Sequence, residues 1–470
     1  MPRGGGMKSK LWTTWLTGMA LAAGVAQAFE IASDQQIDGA SPQIVGVGTG
    51  NTVVPSGAAP NWTFNWADRD GTGASNAVAT AGLNLAAYKL YAAATDSLQG
   101  TITLDLNGGA IVGDDGVAII TSPGVGSGLH SHHLTIRNVG DIATGQILTY
   151  IRGTSDAAGN DTHPGHLTIG TEQNPAGHIR IGLINTGSLT AGTRSGQRGD
   201  VTIWGSGNVR IEDSLGNAGN IVTWPGSSGW RNVGHVKIVH DGAFRVNDIL
   251  SAMANYSARK KPADITLDGG AGVGDCIVRD IDNRHIASGY GSSERGHIVI
   301  RNYANVSLRS IASQHTKTDS RAGGHVDIYN IAGNIEITGT IDCSSGHENV
   351  ETYYGHLKLT AGGMVTLAEL DLAKLLFATL SSGGGKSTIE GELLNFDATG
   401  SGAGSLNDPV VATQTALRVP VGQRLLYAVR DGANAALEAK TYRVASESGQ
   451  AGQGGLLMPI PTRGTVFMFF

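Results

Sequence analysis

Short alternations of apolar and polar residues recur along the middle of the chain at a nearly constant interval. Each one follows a polar corner residue, as in Gly324-His325-Val326-Asp327-Ile328 and Gly355-His356-Leu357-Lys358-Leu359. Strict alternation over so few residues indicates a strand with one buried face. Successive corner residues lie 28 to 35 positions apart, and the series is His133, His166, Asp200, His235, Asp264, His297, His325 and His356.

A second apolar-x-apolar strand follows each of these about eight residues later, and a further apolar position follows that. Examples are Phe244/Val246 with Ile249, and Val306/Leu308 with Ile311. Three short strands cannot bury an apolar face alone, whereas stacked units bury a continuous core. We therefore predict an all-β, single-chain parallel β-helix (solenoid) of about nine or ten coils, each adding about 4.8 Å of length, with caps at both ends.

Composition narrows the class of protein further. The chain has 70 Gly in 470 residues, but only 13 Pro and no G-X-Y period, so collagen is excluded. Gly costs about 1 kcal/mol per helical position relative to Ala, so this content disfavours a helical protein. A formal net charge of -6 argues against a general nucleic-acid binder.

The ends of the chain differ from the repeats. Lys8 and Lys10, the apolar segment Leu11 to Val25 and Ala26-Gln27-Ala28 have the order of a secretory signal peptide. We divide the chain into a signal peptide (1–28), an N-terminal cap region (29–99), the β-helix (100–395) and a C-terminal β-rich cap (396–470). Apolar spacing between Ala74 and Ser97 predicts a helix in the N-terminal cap. We expect a secreted, extracellular or cell-surface protein without an integral membrane span in the mature chain.

Two cysteines, Cys276 and Cys343, do not make a disulfide scaffold or a metal-binding C-x-x-C pair. We expect both to be buried as small hydrophobic residues.

The corner residues form one polar column if the coils stack in register. A row of imidazoles and carboxylates can ligate transition metals. Alternatively, each corner side chain hydrogen-bonds the backbone of the next coil while the imidazoles stack. We favour the second interpretation, because repetition alone produces polar ladders and Asp replaces His twice.

Asp213, Asp248 and Asp280 form a second candidate column near the end of the second strand. Carboxylates on neighbouring coils would lie about 5 to 10 Å apart, a separation used by glycoside hydrolases. Asp is also a favoured turn residue, and we prefer that structural interpretation. As catalytic candidates they would act as an acid/base pair or as Ca²⁺ ligands, beside a basic residue such as Arg245 or Lys237.

The segments that close the coils between residues 186 and 355 carry ten basic residues against four acidic ones. Insertions at one point of a repeat emerge on one side of a solenoid. Arginines and flat aromatic rings suit sugars that carry carboxylate or sulfate groups. The candidate ligand-binding residues in these loops are Arg194, Arg198, Trp224, Trp230, Arg231, Arg259, Lys260, Arg284, Tyr290 and Arg295.

These repeat phrases resemble those of secreted bacterial parallel β-helix proteins, a group that includes adhesin and surface-protein passengers and pectate-lyase-like enzymes. The resemblance covers about residues 100 to 395 and implies the fold. No particular lyase motif matches, so the resemblance implies no catalytic residue.

Two functional hypotheses follow. The first is a non-catalytic secreted or surface protein that binds acidic glycans or partner surfaces through the basic and aromatic loops. The second is a polysaccharide lyase or glycoside hydrolase acting on acidic polysaccharide. We expect no cofactor for the first and Ca²⁺ for a lyase, and we expect no nucleic-acid partner.

Overall fold

A computed structural model describes most of the repeat region and parts of both ends. The predicted signal peptide and most of the closing loops lie outside the described residues. These are 29–38, 41–47, 52–66, 82–92, 99–121, 130–150, 163–187, 199–224, 233–254, 263–286, 296–313, 323–343, 355–370, 375–383, 386–389, 416–419, 421–428, 434–437, 440–445 and 456–459.

The chain is a parallel β-solenoid, as predicted. Sheet 1 has fifteen strands and receives the first strand of each coil. Its strands are Ser56–Ala58, Asn61–Asn65, Thr101–Asp105, His133–Arg137, Leu167–Ile169, Val201–Gly205, Val236–His240, Ile265–Asp268, His297–Tyr303, His325–Ile331, Gly355–Ala361, Leu375–Ser382, Ala416–Arg418, Thr441–Ala445 and Leu456–Pro459.

Sheet 2 has nineteen strands and receives the remaining one or two strands of each coil. They are Phe29–Glu30, Gln35–Gln36, Gly82–Ala86, Leu90–Tyr91, Ala110–Gly113, Ala118–Ile120, Ile142–Leu148, Ile179–Asn185, Val209–Arg210, Ile221–Val222, Phe244–Leu250, Cys276–Asp282, Val306–Ala312, Ile335–Ile337, Ile341–Asp342, Val365–Leu367, Lys386–Ile389, Arg424–Ala428 and Asn434–Leu437. Two small pairs complete the described strands: Ile44–Val45 with Thr52–Val53, and Met253–Ala254 with His285–Ile286.

Parallel stacking extends beyond the predicted repeat region. Within the described residues, twelve strands of sheet 1 run parallel from Asn61–Asn65 to Ala416–Arg418, more than the nine or ten coils expected. The predicted helix is wrong where the structure describes it, because Gly82–Ala86 and Leu90–Tyr91 are strands that pair in parallel within sheet 2. Stacking against the neighbouring coil overrides the local apolar spacing. Antiparallel strands such as Thr441–Ala445 cover the C-terminal edge.

A continuous hydrophobic core fills the space between the sheets, from Phe29 to Leu425. Alternate strand residues such as Val236 and Ile238 are buried, while Lys237 between them is exposed. Fully burying such a side chain stabilises the fold by about 1.5–3 kcal/mol. Cys276 and Cys343 are both buried free thiols, as predicted, and burial raises the pKa of Cys276.

Buried hydroxyl groups tie together the two ends of several closing segments. Thr121 donates a hydrogen bond to the carbonyl oxygen of His132 at 2.7 Å, and Thr223 donates to that of Gly234 at 2.9 Å. The residues at this position of successive coils are Thr121, Thr149, Thr186, Thr223 and Ser251. The backbone N–H of each donates to the carbonyl oxygen at the end of the next coil's strand, as from Thr223 to Leu250 and from Ser251 to Asp282. The described ends of the loops therefore lie along one edge. Among the described residues, no helix is long and apolar enough to cross a membrane.

Candidate functional site

The N-terminal part of the corner column is a hydrogen-bond ladder, which we call the corner ladder (His133, His166, Asp200, His235 and Asp264). Each side chain accepts a hydrogen bond from the backbone N–H of the next corner residue. The distances are 3.0 Å from His166 to Nδ1 of His133 and 2.8 Å from His235 to Oδ1 of Asp200. The imidazoles of His133 and His166 stack with their centroids 4.6 Å apart. The hydrogen-bonded interpretation of the corner is confirmed for these coils.

A second ladder, which sequence reasoning missed, lies at the turn between the sheets. Nδ1 of His178 accepts from the N–H of Asn208 at 3.0 Å, and Oδ1 of Asn305 accepts from that of Asn334 at 2.9 Å. The sequence signal is a polar residue directly before the second strand of several coils, as in Asn208-Val209 and Asn305-Val306. Polar side chains that cap the next coil's backbone are thus a general device of this solenoid.

The C-terminal part of the corner column is different, and we call it the His–Asp cluster (His297, His325, Asp327 and His356). Here the N–H of His325 donates to the backbone oxygen of Gly296 rather than to the side chain of His297. Nε2 of His297 lies 2.7 Å from Oδ2 of Asp327, and Nε2 of His356 lies 3.2 Å from Oδ1. The corner imidazoles hold a carboxylate instead of a backbone amide.

The pKa shifts also differ between the corner ladder and the His–Asp cluster. Burial, followed by the neighbouring His166 and His132, lowers the pKa of His133 to about 4, against a smaller opposing effect of Asp200. A neutral His133 keeps Nδ1 available as an acceptor. Burial raises the pKa of Asp327, but hydrogen bonds and charges from His297 and His356 outweigh it and hold that pKa well below the usual range. Asp327 is therefore a carboxylate at neutral pH.

The structure brings Asp248 and Asp280 together on neighbouring strands, in register. Asp248 accepts from Nε of Arg279 at 2.9 Å, and Asp280 accepts from Nε of Arg309 at 2.8 Å. In each case the second guanidinium nitrogen Nη2 contacts the other carboxylate oxygen. Both carboxylates are thus held in arginine forks, an arrangement that neutralises their charge and fixes their orientation.

Asp213 lies outside this column, which corrects the predicted three-membered set. The chain leaves the strand after Arg210 and rejoins the sheet at Ile221, so Asn220 rather than Asp213 contacts the backbone of Asp248. Asp213 lies in an exposed turn and accepts hydrogen bonds from the side chain and backbone of Asn217 and from the backbone of Leu215, which lower its pKa. The turn also contacts Asp115, whose carboxylate accepts from the N–H and hydroxyl of Ser214.

The two suggested basic partners have other contacts. Nη1 of Arg245 lies 3.2 Å from Oε2 of Glu212, and the ammonium of Lys237 lies 4.5 Å from the centre of the Trp204 ring.

Five arginines lie on five successive coils on the outer surface of sheet 2, and we call them the arginine row. Strand register aligns Arg180, Arg210 and Arg245, and the next two coils contribute Arg279 and Arg309 two positions further along. Their exposed fractions range from 28% for Arg180 to 54% for Arg309, so the row is accessible to solvent.

Carboxylates accompany the arginine row. Arg180 pairs with Asp115 at 3.1 Å, and Arg210 pairs with Glu212 at 3.4 Å. Only Arg245 from this row was considered in sequence reasoning. The available signal was an arginine directly after the first apolar residue of the second strand, in Ile179-Arg180, Val209-Arg210 and Phe244-Arg245.

Most of the predicted loop residues lie outside the described residues: Arg194, Arg198, Trp230, Arg231, Arg259, Lys260, Tyr290 and Arg295. Trp224 is described at the start of one loop and is 37% exposed. Arg284 is also described and donates to both carboxylate oxygens of Asp282, from Nε at 2.9 Å and Nη2 at 2.7 Å.

Comparison of the chain with family models, with curated proteins and with solved structures found no match.

Proposed function

We propose that the protein is a secreted or cell-surface β-solenoid without catalytic activity that binds acidic glycans or similar polymers. The arginine row is the observation that carries this proposal. It places guanidinium groups on one outer surface at every coil from Arg180 to Arg309, about 4.8 Å per coil. A linear polymer with regularly spaced carboxylate or sulfate groups can run along this surface and meet a guanidinium at each step.

The carboxylates that pair with the arginine row use only some of its guanidinium N–H donors. A guanidinium carries five N–H groups, and the ion pair of Arg180 with Asp115 uses one of them. These side chains are partly exposed, and a guanidinium suits bidentate contacts with carboxylate or sulfate. The carboxylates also hold the guanidinium groups in place, which lowers the entropy lost on binding. The basic and aromatic loop residues belong to the same proposal as additional contacts.

The alternative, a lyase or hydrolase, has weaker support in the described residues. A catalytic acid/base pair or a Ca²⁺ site needs its carboxylates to converge on one substrate or ion. Asp248 and Asp280 are each bound by an arginine fork, and Asp213 lies in a separate turn. No described contact gives these three residues a common groove.

Binding measurements on the purified mature chain test the proposal. A glycan array containing uronate, sulfated and neutral polymers is probed at low and high salt, and acidic polymers should bind in a salt-sensitive manner. The triple variant Arg180→Gln/Arg210→Gln/Arg245→Gln should bind at least about tenfold more weakly, the equivalent of 1.4 kcal/mol. The control is Arg137→Gln/Arg301→Gln, which removes two carboxylate-paired arginines from sheet 1 and should leave affinity unchanged.

Two results would overturn the proposal. One is the absence of salt-sensitive binding to every acidic polymer, and the other is equal loss in the triple variant and the control. Incubation with uronate polymers and Ca²⁺ is run in parallel, and formation of unsaturated products would favour the lyase.

A further inference from the structure

We propose that His297, Asp327 and His356 form a binding site for a divalent transition metal, with Zn²⁺ as the best-suited ion. The site is built from three consecutive parallel strands, on which His297, His325 and His356 are in register. Two imidazoles and one carboxylate are a donor set that transition metals favour. The proposal is independent of glycan binding, because the site lies on sheet 1 and shares no residue with the arginine row.

The distances between the donor atoms fit one ion. One ligand atom from each residue can be chosen so that all three lie within 4.8 Å of one another. Tetrahedral ligand atoms bound at about 2.0–2.1 Å from Zn²⁺ lie roughly 3.3 Å apart. The two His–Asp contacts, 2.7 and 3.2 Å, are slightly shorter than that separation. The donor atoms therefore have to move apart by a few tenths of an ångström to admit the ion.

The orientation of the two imidazoles supports convergence on a point. Their ring planes are 85° apart with centroids at 6.3 Å, and both present Nε2 to the same carboxylate. The side chain of His297 is 42% exposed, whereas Asp327 is 19% exposed. The site is thus open to solvent on one side and supported by the sheet on the other, and a metal would keep at least one position for water or an external ligand.

Among the described coils, the carboxylate of Asp327 distinguishes the His–Asp cluster from the rest of the corner column. Asp327 lies in the neighbouring row of sheet 1, two positions after the corner residue His325. Its row on sheet 1 contains threonine at Thr63, Thr103, Thr135, Thr168 and Thr202, and its immediate neighbours are Val299 and Lys358. A carboxylate flanked by corner histidines on both adjacent coils therefore occurs at Asp327 and not beside His133 and His166. For binding, each Nε2 presents its lone pair to the ion, so the proton in each of the two contacts with Asp327 moves to Nδ1 of the same imidazole or is released to solvent.

Titration of the metal-free full chain with ZnCl₂ by calorimetry at pH 7.5 tests the site. We expect one equivalent of Zn²⁺ to bind more tightly than any other. The variant His297→Gln/His356→Gln should lose this equivalent or bind it at least about 100-fold more weakly. Asp327→Asn should weaken binding at least about tenfold, the equivalent of 1.4 kcal/mol. The matched control is His133→Gln/His166→Gln, which removes a stacked corner pair with threonine in the neighbouring row and should retain full affinity.

Several results would overturn the proposal: no tight equivalent in the unsubstituted chain, unchanged binding in His297→Gln/His356→Gln, or equal loss in the control. Circular dichroism establishes that each variant folds. If the double variant does not fold, electron paramagnetic resonance of the Cu²⁺-loaded unsubstituted chain decides. Coupling to two imidazole nitrogens that Asp327→Asn alters supports the site, and an unaltered spectrum contradicts it.

Discussion

The two parts of the corner column use the same residue types for different purposes. In the corner ladder, His133 and Asp200 accept hydrogen bonds from backbone amides of the next coil. In the His–Asp cluster, His297 and His356 hold Asp327 between them. The difference comes from the neighbouring row, where a carboxylate replaces threonine. A polar ladder is therefore a structural default that a single substitution in an adjacent row converts into a candidate binding site.

The largest loss of stability is expected at the glycine before a corner residue, because in both parts of the column this glycine packs against the backbone of the preceding coil. A Cβ at Gly234 would lie 2.1 Å from the backbone oxygen of Gly199, and one at Gly355 would lie 2.3 Å from that of Gly324. Gly234→Ala should lower the free energy of unfolding by about 3 kcal/mol, since overpacking against backbone forces the coils apart. Chemical denaturation measures this change.

Gly116→Ala is the control for that variant, because nothing lies within 4 Å of a Cβ there, and a change within about 0.5 kcal/mol is expected. Equal stability of Gly234→Ala and the unsubstituted chain would contradict the close coil contact at the corner.

In the corner ladder, one side-chain oxygen that accepts from the backbone N–H of the next coil should be sufficient for stability. Asp200→Ala removes the acceptor for the N–H of His235 and should cost about 1–2 kcal/mol. Asp200→Asn keeps an amide oxygen in the same place and should restore most of that loss. Denaturation curves of both variants make the comparison, and failure of Asn to rescue would show that charge, rather than the hydrogen bond, matters here.

The same substitution of Asp by Asn should lower the free energy of unfolding in the His–Asp cluster. Both carboxylate oxygens of Asp327 face an imidazole nitrogen, so Asp327→Asn replaces one acceptor with a donor and should cost about 1 kcal/mol in the metal-free chain. The difference in unfolding free energy between Asp327→Asn and Asp200→Asn is the quantity to measure. If both exchanges are equally mild, the two parts of the column do not differ as described.

Acidification should weaken the ladder before the cluster. The folded pKa of His133 is about 4, below the unfolded value of about 6.5. Its contribution to stability is complete above pH 6.5 and is lost as pH falls toward 4, because the unfolded chain takes up the proton first. Allowing for its partial exposure, the loss is about 0.5–1 kcal/mol. The protection factor of the His166 amide, which is its exchange rate corrected for the intrinsic pH dependence of amide exchange, should fall between pH 7 and 5.

The cluster should keep its contacts over that range. Asp327 stays ionised because its pKa lies below the usual range, so it remains an acceptor for His297 and His356. His133→Gln is the control, since it removes the titrating group and should abolish the pH dependence of the protection factor at His166. Equal loss of protection at His166 and at the cluster would contradict the assignment.

The fold was predictable because it depends on which positions are apolar. The alternation in Val236-Lys237-Ile238 predicts one buried face, and the structure buries both apolar residues. The nearly constant repeat interval predicted that the coils stack, because stacking buries the equivalent apolar positions of successive coils. The segment Gly82–Ala86 was mistaken for helix because its apolar spacing fits both periods, and only pairing with the adjacent coil decides between them.

The candidate sites were less predictable, because they depend on register between coils. Asp213, Asp248 and Asp280 share a position when counted along the chain, but the excursion between Arg210 and Ile221 displaces Asp213. Asp248 and Asp280 were found, whereas their arginine partners on the next coils, Arg279 and Arg309, were not.

The sequence by itself determined the architecture of this protein, since the order of apolar and polar residues fixes which side chains leave water. Only the tertiary structure decided what each polar column does. A corner histidine has the same neighbours along the chain at His166 and at His356, Gly before and Leu after. Whether it binds a backbone amide or a carboxylate depends on the residue that the adjacent coil places within about 3 Å, about thirty positions away in sequence.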